Sequence, residues 1–271
     1  MFAALSPARR RLVVAVLALA VVAVLVAAAA LLLDRSTDVA AGPVPQERLG
    51  PVLLVPGYGG STASLQPLAD RIAAEGRDVT VVPLPGNGTG DLGAAADALA
   101  EAGEVALERT DADSVDVVGF SAGGVVARLW VADGGADVVR RVVTLGSPHH
   151  GTTLADLAGS VAPDQCPEGC RQLTPGSELL ARLNADDETP EGPTYVSIWT
   201  TQDETVTPPE SARLEGAVNL TVQSVCADAR VGHGDLPRHP LVQAMVLAEL
   251  AAGEPVELGP ADCAVLSAAG P

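Results

Sequence analysis

The chain contains no lysine: all 16 basic residues are arginine, set against 34 acids in 271 residues. That absence excludes any mechanism needing a Schiff-base lysine or a phosphate-loop lysine. Aromatics are nearly missing too, with two each of Trp, Tyr and Phe. The core must therefore be built from Ala, Val, Leu and Gly, and the length is enough for one sizeable domain. No acid precedes Asp34. Beyond it, 34 acids face 13 arginines, a net charge near −21. Such a surface repels nucleic acid and gains nothing from anionic lipid headgroups, so neither is an expected partner of the domain. It is mainly a solubility device.

The one long apolar run lies at the start. Arg9-Arg10-Arg11 precede residues 12–33, which carry no charge, and Asp34 and Arg35 follow. About 20 apolar residues span a bilayer, and the run exceeds the roughly 7–15 of a signal-peptide core. The arginines ahead of it place residues 1–11 in the cytoplasm. A transmembrane signal-anchor over 12–33 is expected, with cleavage within the alanines at 27–30 as the alternative. Either way the remainder is exported: membrane-anchored outside the cytoplasm, or secreted. Residues 34–48, with Gly42, Pro43 and Pro45, read as a linker, and 49–271 as the domain.

All four cysteines, Cys166, Cys170, Cys226 and Cys263, lie in the exported part. An even count there reads as two disulfides. A local bridge across Cys166-Pro167-Glu168-Gly169-Cys170 would leave Cys226 with Cys263, although three pairings are open. Zinc is the competing reading, but C-x3-C lacks a second close ligand pair. No metal or nucleotide motif is present, so no cofactor is expected.

Within the domain, short Val/Leu runs alternate with helix-like segments. Strands are expected at 52–55, 78–82, 114–120, 140–145, 194–200 and 217–222, and helices at 64–75, 91–109, 122–132 and 240–252. Near-continuous apolar strands separated by helices indicate an α/β fold: a mostly parallel sheet of about six strands with helices on both faces. Residues 152–193 break the rhythm. They hold the Cys166–Cys170 turn and a short helix over 177–184 capped by Ser177. An insertion there overhangs the C-terminal sheet edge, where open α/β sheets bind ligands. It reads equally as a cap shaping a pocket and as a surface loop.

The chemistry centres on Gly119-Phe120-Ser121-Ala122-Gly123-Gly124. A strand runs into this G-x-S-x-G and a helix runs out, which is a nucleophile elbow. Serine needs a base to take its proton, and histidine titrates nearest to neutrality. Of four histidines, His233 sits in a loop before the last helix, in the required order after Ser121 and an acid. His239 directly precedes Pro240, and His149 and His150 follow a strand. The acid that orients the base is expected to be Asp203, which follows the 194–200 strand; Glu204, Asp228 and Asp235 are its rivals. An oxyanion needs backbone donors. One is expected from Ala122, after the nucleophile. Tyr58, in Pro56-Gly57-Tyr58-Gly59-Gly60, is the expected second.

These motifs, together with Thr144-Leu145-Gly146-Ser147-Pro148-His149-His150-Gly151-Thr152 and Gln172-Leu173-Thr174-Pro175-Gly176-Ser177-Glu178-Leu179-Leu180, resemble the small extracellular bacterial lipases and esterases of the α/β-hydrolase superfamily. The resemblance runs from about Val52 to Leu247. It departs from the commoner form at Pro56, where His-Gly is usual before the oxyanion residue. It implies a Ser121–His233–Asp203 triad and hydrolysis of carboxylic esters, often acylglycerols, by a protein expected to act as a monomer on a small-molecule or lipid ester. An acyltransferase using the same triad, and a catalytically inactive envelope binding module on the same fold, are the alternatives. A metal role for His149 and His150 is disfavoured because no third and fourth ligands are apparent.

Overall fold

The computed structural model describes Val21 and residues 44–269. The expected span over 12–33 lies, Val21 apart, outside the described residues. Among those described, no helix is long and apolar enough to cross a membrane.

Six strands form one parallel sheet: β1 (Val52–Val55), β2 (Val79–Val81), β3 (Val115–Phe120), β4 (Val139–Leu145), β5 (Thr194–Trp199) and β6 (Val218–Thr221), in the order β2-β1-β3-β4-β5-β6. The expected strands are all present, with ends that differ from expectation by at most one residue. Parallel neighbours need crossovers, and the helices supply them. One face packs on α2 (Leu92–Thr110) and α3 (Ala122–Ala132); the other packs on α1 (Gln66–Ala74) and, late in the chain, α8 (Pro240–Glu249). Alternation within each strand divides the core. Leu53, Val55 and Val117 point to the α2/α3 side, while Val52, Leu54 and Val118 point to the α1/α8 side. Both faces are covered, which is why the strands read as near-continuous apolar runs.

Local chemistry sets the helix ends. Asp91 caps α2 by accepting from Gly93 N at 3.2 Å. Helix α1 begins at Gln66, two residues later than expected, because Thr62–Ser64 form a 3-10 turn ahead of Pro67. Helix α8 ends at Glu249 rather than 252.

The insertion is more helical than its sequence suggested. It contains α4 (Thr153–Val161), α5 (Glu168–Gln172) and α6 (Glu178–Leu183). Thr152 caps α4 through Leu154 N at 3.3 Å, and Ser177 caps α6 through Leu180 N at 3.3 Å. A short turn, α7 (Val222–Val225), follows β6. A last helix, α9 (Cys263–Ala268), was not anticipated. The Cys226–Cys263 disulfide ties it to the turn after β6, and the second bridge is Cys166–Cys170. Two disulfides suit an oxidising compartment outside the cytoplasm.

The N-terminal edge of the sheet carries a buried ionic network. Asp116 on β3 accepts from Arg140 Nε at 2.8 Å and Nη2 at 2.6 Å, and from Arg77 Nη2 at 2.7 Å. Arg140 also donates to Gln46 O at 3.0 Å and Leu250 O at 3.0 Å. Residues 44–47, expected as the end of the linker, are thereby fastened to the domain, with Gly253 N donating to Gln46 O at 3.1 Å.

Glu249 closes this end of α8. One carboxylate oxygen accepts from Val256 N at 3.1 Å and the other has no partner among the described residues. Burial pushes its carboxyl from the ordinary 4.5 up to about 7. A raised folded-state value means that the fold favours the protonated form. That stabilisation is complete below the unfolded value and is lost as pH rises through about 7. Glu249→Gln should therefore raise the melting temperature at pH 8 by several degrees, on the order of 2–3 kcal/mol, and have little effect at pH 4. Melting curves at the two pH values check this; equal shifts at both would refute it.

Candidate active site

The site lies at the C-terminal edge of the sheet, where β3, β4 and β5 release their loops. Ser121 occupies the turn between β3 and α3 with φ 53° and ψ −125°, a region that non-glycine residues rarely adopt. The surroundings enforce it. Ser121 N donates to Leu145 O at 2.8 Å. A Cβ on Gly119 would come within 2.5 Å of the Gly124 backbone, so the elbow closes only with glycine at that position. Although Ser121 precedes a helix, its hydroxyl caps no backbone N–H. It meets His233 Nε2 instead, at 3.0 Å.

His233 begins a 3-10 turn, His233–Asp235, ahead of α8. Its Nδ1 lies 2.7 Å from Asp203 Oδ2. Asp203, only 5% exposed, accepts from Thr205 N and Val206 N through its other oxygen, both at 2.8 Å. Two amide donors fix that carboxylate in place, and its free oxygen faces Nδ1 and accepts the proton there. This leaves Nε2 as the acceptor for the serine hydroxyl. Phe120 packs on the imidazole with ring centroids 5.1 Å apart. Glu204, Asp228 and Asp235 are exposed, and none of their carboxylates pairs with the His233 ring.

The other histidines are occupied elsewhere. His239 accepts from Leu241 N at 3.3 Å and caps α8. His150 reaches Glu188 at 2.7 Å. His149 is fully buried against Thr144 Oγ1 at 3.1 Å, and burial, with Arg128 near, depresses its pKa well below the ordinary value, keeping it neutral. Among the described residues no cluster of three or more His, Cys, Asp or Glu could hold a metal ion.

Ala122 is the first residue of α3, and Tyr58 follows β1 in the facing loop. Among the described residues, neither N–H has a protein acceptor. Ala122 follows Ser121 directly, Tyr58 lines the same cavity as Ser121, and the N-terminus of α3 adds a partial positive charge there. Tyr58 and Ser121 both line a cavity of about 250 Å³ whose other walls include the insertion. Its walls are mostly apolar side chains from α4, α5 and the loop after Asp203. The insertion is therefore a pocket wall, not a detached surface loop.

Two contributors escaped the sequence reading. Gly146, after β4, has φ 55°, and a Cβ there would press within 3.2 Å of both Asp203 Oδ2 and His233 Nδ1. Its place in a glycine after a strand, ahead of Ser147-Pro148, was the available signal. The alanines of α4 that face the cavity carried none, because alanine is common throughout this chain.

A family model described as alpha/beta hydrolase fold matches residues 50–165. Solved structures extend the likeness over most of the chain. Aspergillus fumigatus lipase B superposes with a TM-score of 0.65 at 19% identity, over 82% of this chain and 61% of that one. The mature form of Bacillus licheniformis lipase BlEst2 gives 0.62 at 19% identity, over 78% and 95%. Its propeptide form gives 0.61 at 21%, over 80% and 55%. The chain has the α/β-hydrolase fold. It spans about three fifths of the length of the Aspergillus protein. No curated protein matches its sequence. Within the hydrolase fold, Ser121 stands at the elbow after the third strand of this sheet, and the insertion stands above the sheet edge.

Proposed function

We propose that the protein is a serine carboxylic-ester hydrolase acting outside the cytoplasm, held by its N-terminal apolar segment or released after cleavage of that segment. One observation carries the reading: a hydrogen-bonded Ser121–His233–Asp203 relay whose serine opens on an apolar cavity of about 250 Å³. In this mechanism His233 Nε2 takes the Ser121 proton as Oγ attacks the ester carbonyl. The oxyanion is held by the N–H groups of Ala122 and Tyr58. Collapse breaks the bond to the alcohol, which leaves with the proton from His233, and an acyl ester remains on Ser121. Water, deprotonated by His233, attacks that ester and releases the acid. Asp203 orients the ring and stabilises its charged form throughout.

The test uses the full chain with a fluorophosphonate, which loses fluoride as its phosphorus bonds to an activated serine Oγ. Stoichiometric labelling confined to Ser121, with p-nitrophenyl ester hydrolysis lost in proportion, is expected. Hydrolysis that survives complete labelling, or labelling at another residue, would remove the basis for this reading.

A further inference from the structure

The cavity beside Ser121 has a definite construction. Its outer wall is α4 and α5. On α4, Ala155 and Ala158, one turn apart, face the cavity, while Leu157 and Val161 turn outward and are 59% and 74% exposed. Gln165, Cys170 and Leu173 complete the lining on the insertion side, and the Cys166–Cys170 disulfide ties the connection between α4 and α5 to α5.

Both ends of this wall are fastened. At the α4 end, Thr152 Oγ1 donates to Thr205 O at 2.7 Å and accepts from Thr207 N at 3.1 Å, and Thr153 N donates to Thr207 O at 2.9 Å. At the α5 end, Gly169 N donates to Thr89 O at 3.1 Å. Gln172 there accepts from Leu92 N at 2.8 Å and donates to Asp91 at 2.6 Å. A wall tied to the sheet-edge loop at one end and to α2 at the other holds its position before any substrate arrives.

We infer that this cavity is a preformed acyl pocket of limited volume. It takes chains of about eight to ten carbons, and Ala155 and Ala158 set its width. The inference rests on the ester-hydrolase reading and names its substrate class. The size follows from volume. A dry cavity of about 150 Å³ accepts the six carbons of benzene, so about 250 Å³ holds roughly ten. Longer chains must leave their remaining carbons in water, because the fastened wall does not swing aside. Each methylene buried up to that length should raise kcat/KM by up to about fourfold.

The full chain is assayed on p-nitrophenyl esters from two to sixteen carbons, below their aggregation limits. A rise to an optimum at about eight to ten carbons and a fall at sixteen is expected. Ala158→Phe should lower the decanoate-to-butyrate ratio of kcat/KM by about tenfold or more, and Ala158→Val, a milder change, should move it the same way. In parallel, Ser121→Ala is titrated with methyl butyrate, decanoate and palmitate, and decanoate should bind most tightly. If esters are hydrolysed with no length optimum, or with a ratio that neither Ala158 variant moves, the pocket inference fails while the hydrolase reading stands. If no ester is hydrolysed yet Ser121→Ala prefers methyl decanoate, the hydrolase reading fails and the pocket stands.

Discussion

Ser121→Ala should cut kcat for a p-nitrophenyl ester by about 10⁴- to 10⁶-fold, leaving only what the oxyanion donors and binding supply. The substitution removes one oxygen from a small turn residue, and alanine tolerates the surrounding elbow no worse than serine does, so melting should shift little. The loss should be chemical rather than structural: the burst of p-nitrophenol disappears, because no acyl ester can form. His233→Ala should cost about as much, since among the described residues Ser121 Oγ has no other base within hydrogen-bond reach. Combining the two should add almost nothing, because the residues act as one unit. Asp203→Ala should cost less, about 10⁴-fold, as the ring keeps Ser121 but loses the carboxylate at 2.7 Å that fixes its tautomer. Steady-state rates on the three single variants and the double variant check the pattern. Multiplicative losses in the double variant would mean that the 3.0 Å contact is not the working one.

The centre of this site was legible because it obeys local rules. Ser121 stands between a strand and a helix, and a tight turn of that kind demands the glycines that surround it. His233 and Asp203 could be chosen by chain order and by position after a strand, and the structure brings both to Ser121. The choice of Asp203 over Glu204 became firm only in three dimensions, where Thr205 N and Val206 N grip the aspartate and leave Glu204 in solvent. The sheet was legible for a similar reason: strands covered on both faces are mostly apolar, so they stand out as short Val/Leu-rich runs. The wall of the cavity was not. Helix α4 is rich in alanine and leucine like the rest of the chain, and its function lies in which alanines face inward, a fact set by tertiary packing. Helix α9 hid in a tail whose order depends on the Cys226–Cys263 bridge, a contact 37 residues apart. The network about Asp116 was invisible too, since a single acid within an apolar strand says nothing of the arginines that meet it.

Removing that acid should produce the largest stability change in the protein. Asp116→Ala is expected to destabilise the domain by about 3–5 kcal/mol, lowering the melting temperature by roughly 10 °C or more. Asp116 and Arg140 are both fully buried, and Arg140 aligns two donors with the two carboxylate oxygens. With the carboxylate gone, an enclosed guanidinium keeps its charge and, among the described residues, donates only to the carbonyls of Gln46, Leu250 and Ala251. Arg77 loses its carboxylate partner at the same time, keeping only the Gly50 and Leu250 carbonyls among the described residues. The cost comes from the stranded charge rather than from the lost attraction, because burying the ion pair already offsets most of that attraction. Two consequences separate this account from simple loss of packing. Replacing Arg140 by Met in the Asp116→Ala background should recover much of the stability, whereas a cavity effect would deepen. Catalysis per folded molecule should persist at low temperature, since Asp116 lies five residues back along β3 from Ser121, about 16 Å at strand rise. Denaturant unfolding of the single and double variants, with active-site titration by a fluorophosphonate at 10 °C, measures both. If the double variant is no more stable than the single one, the stranded charge is not the cause. The linkage matters for the site as well. Arg140 joins β3 and β4 to the segment before β1 and to the end of α8, so the strands that deliver Ser121 and the helix that follows His233 share one anchor at the opposite edge of the sheet.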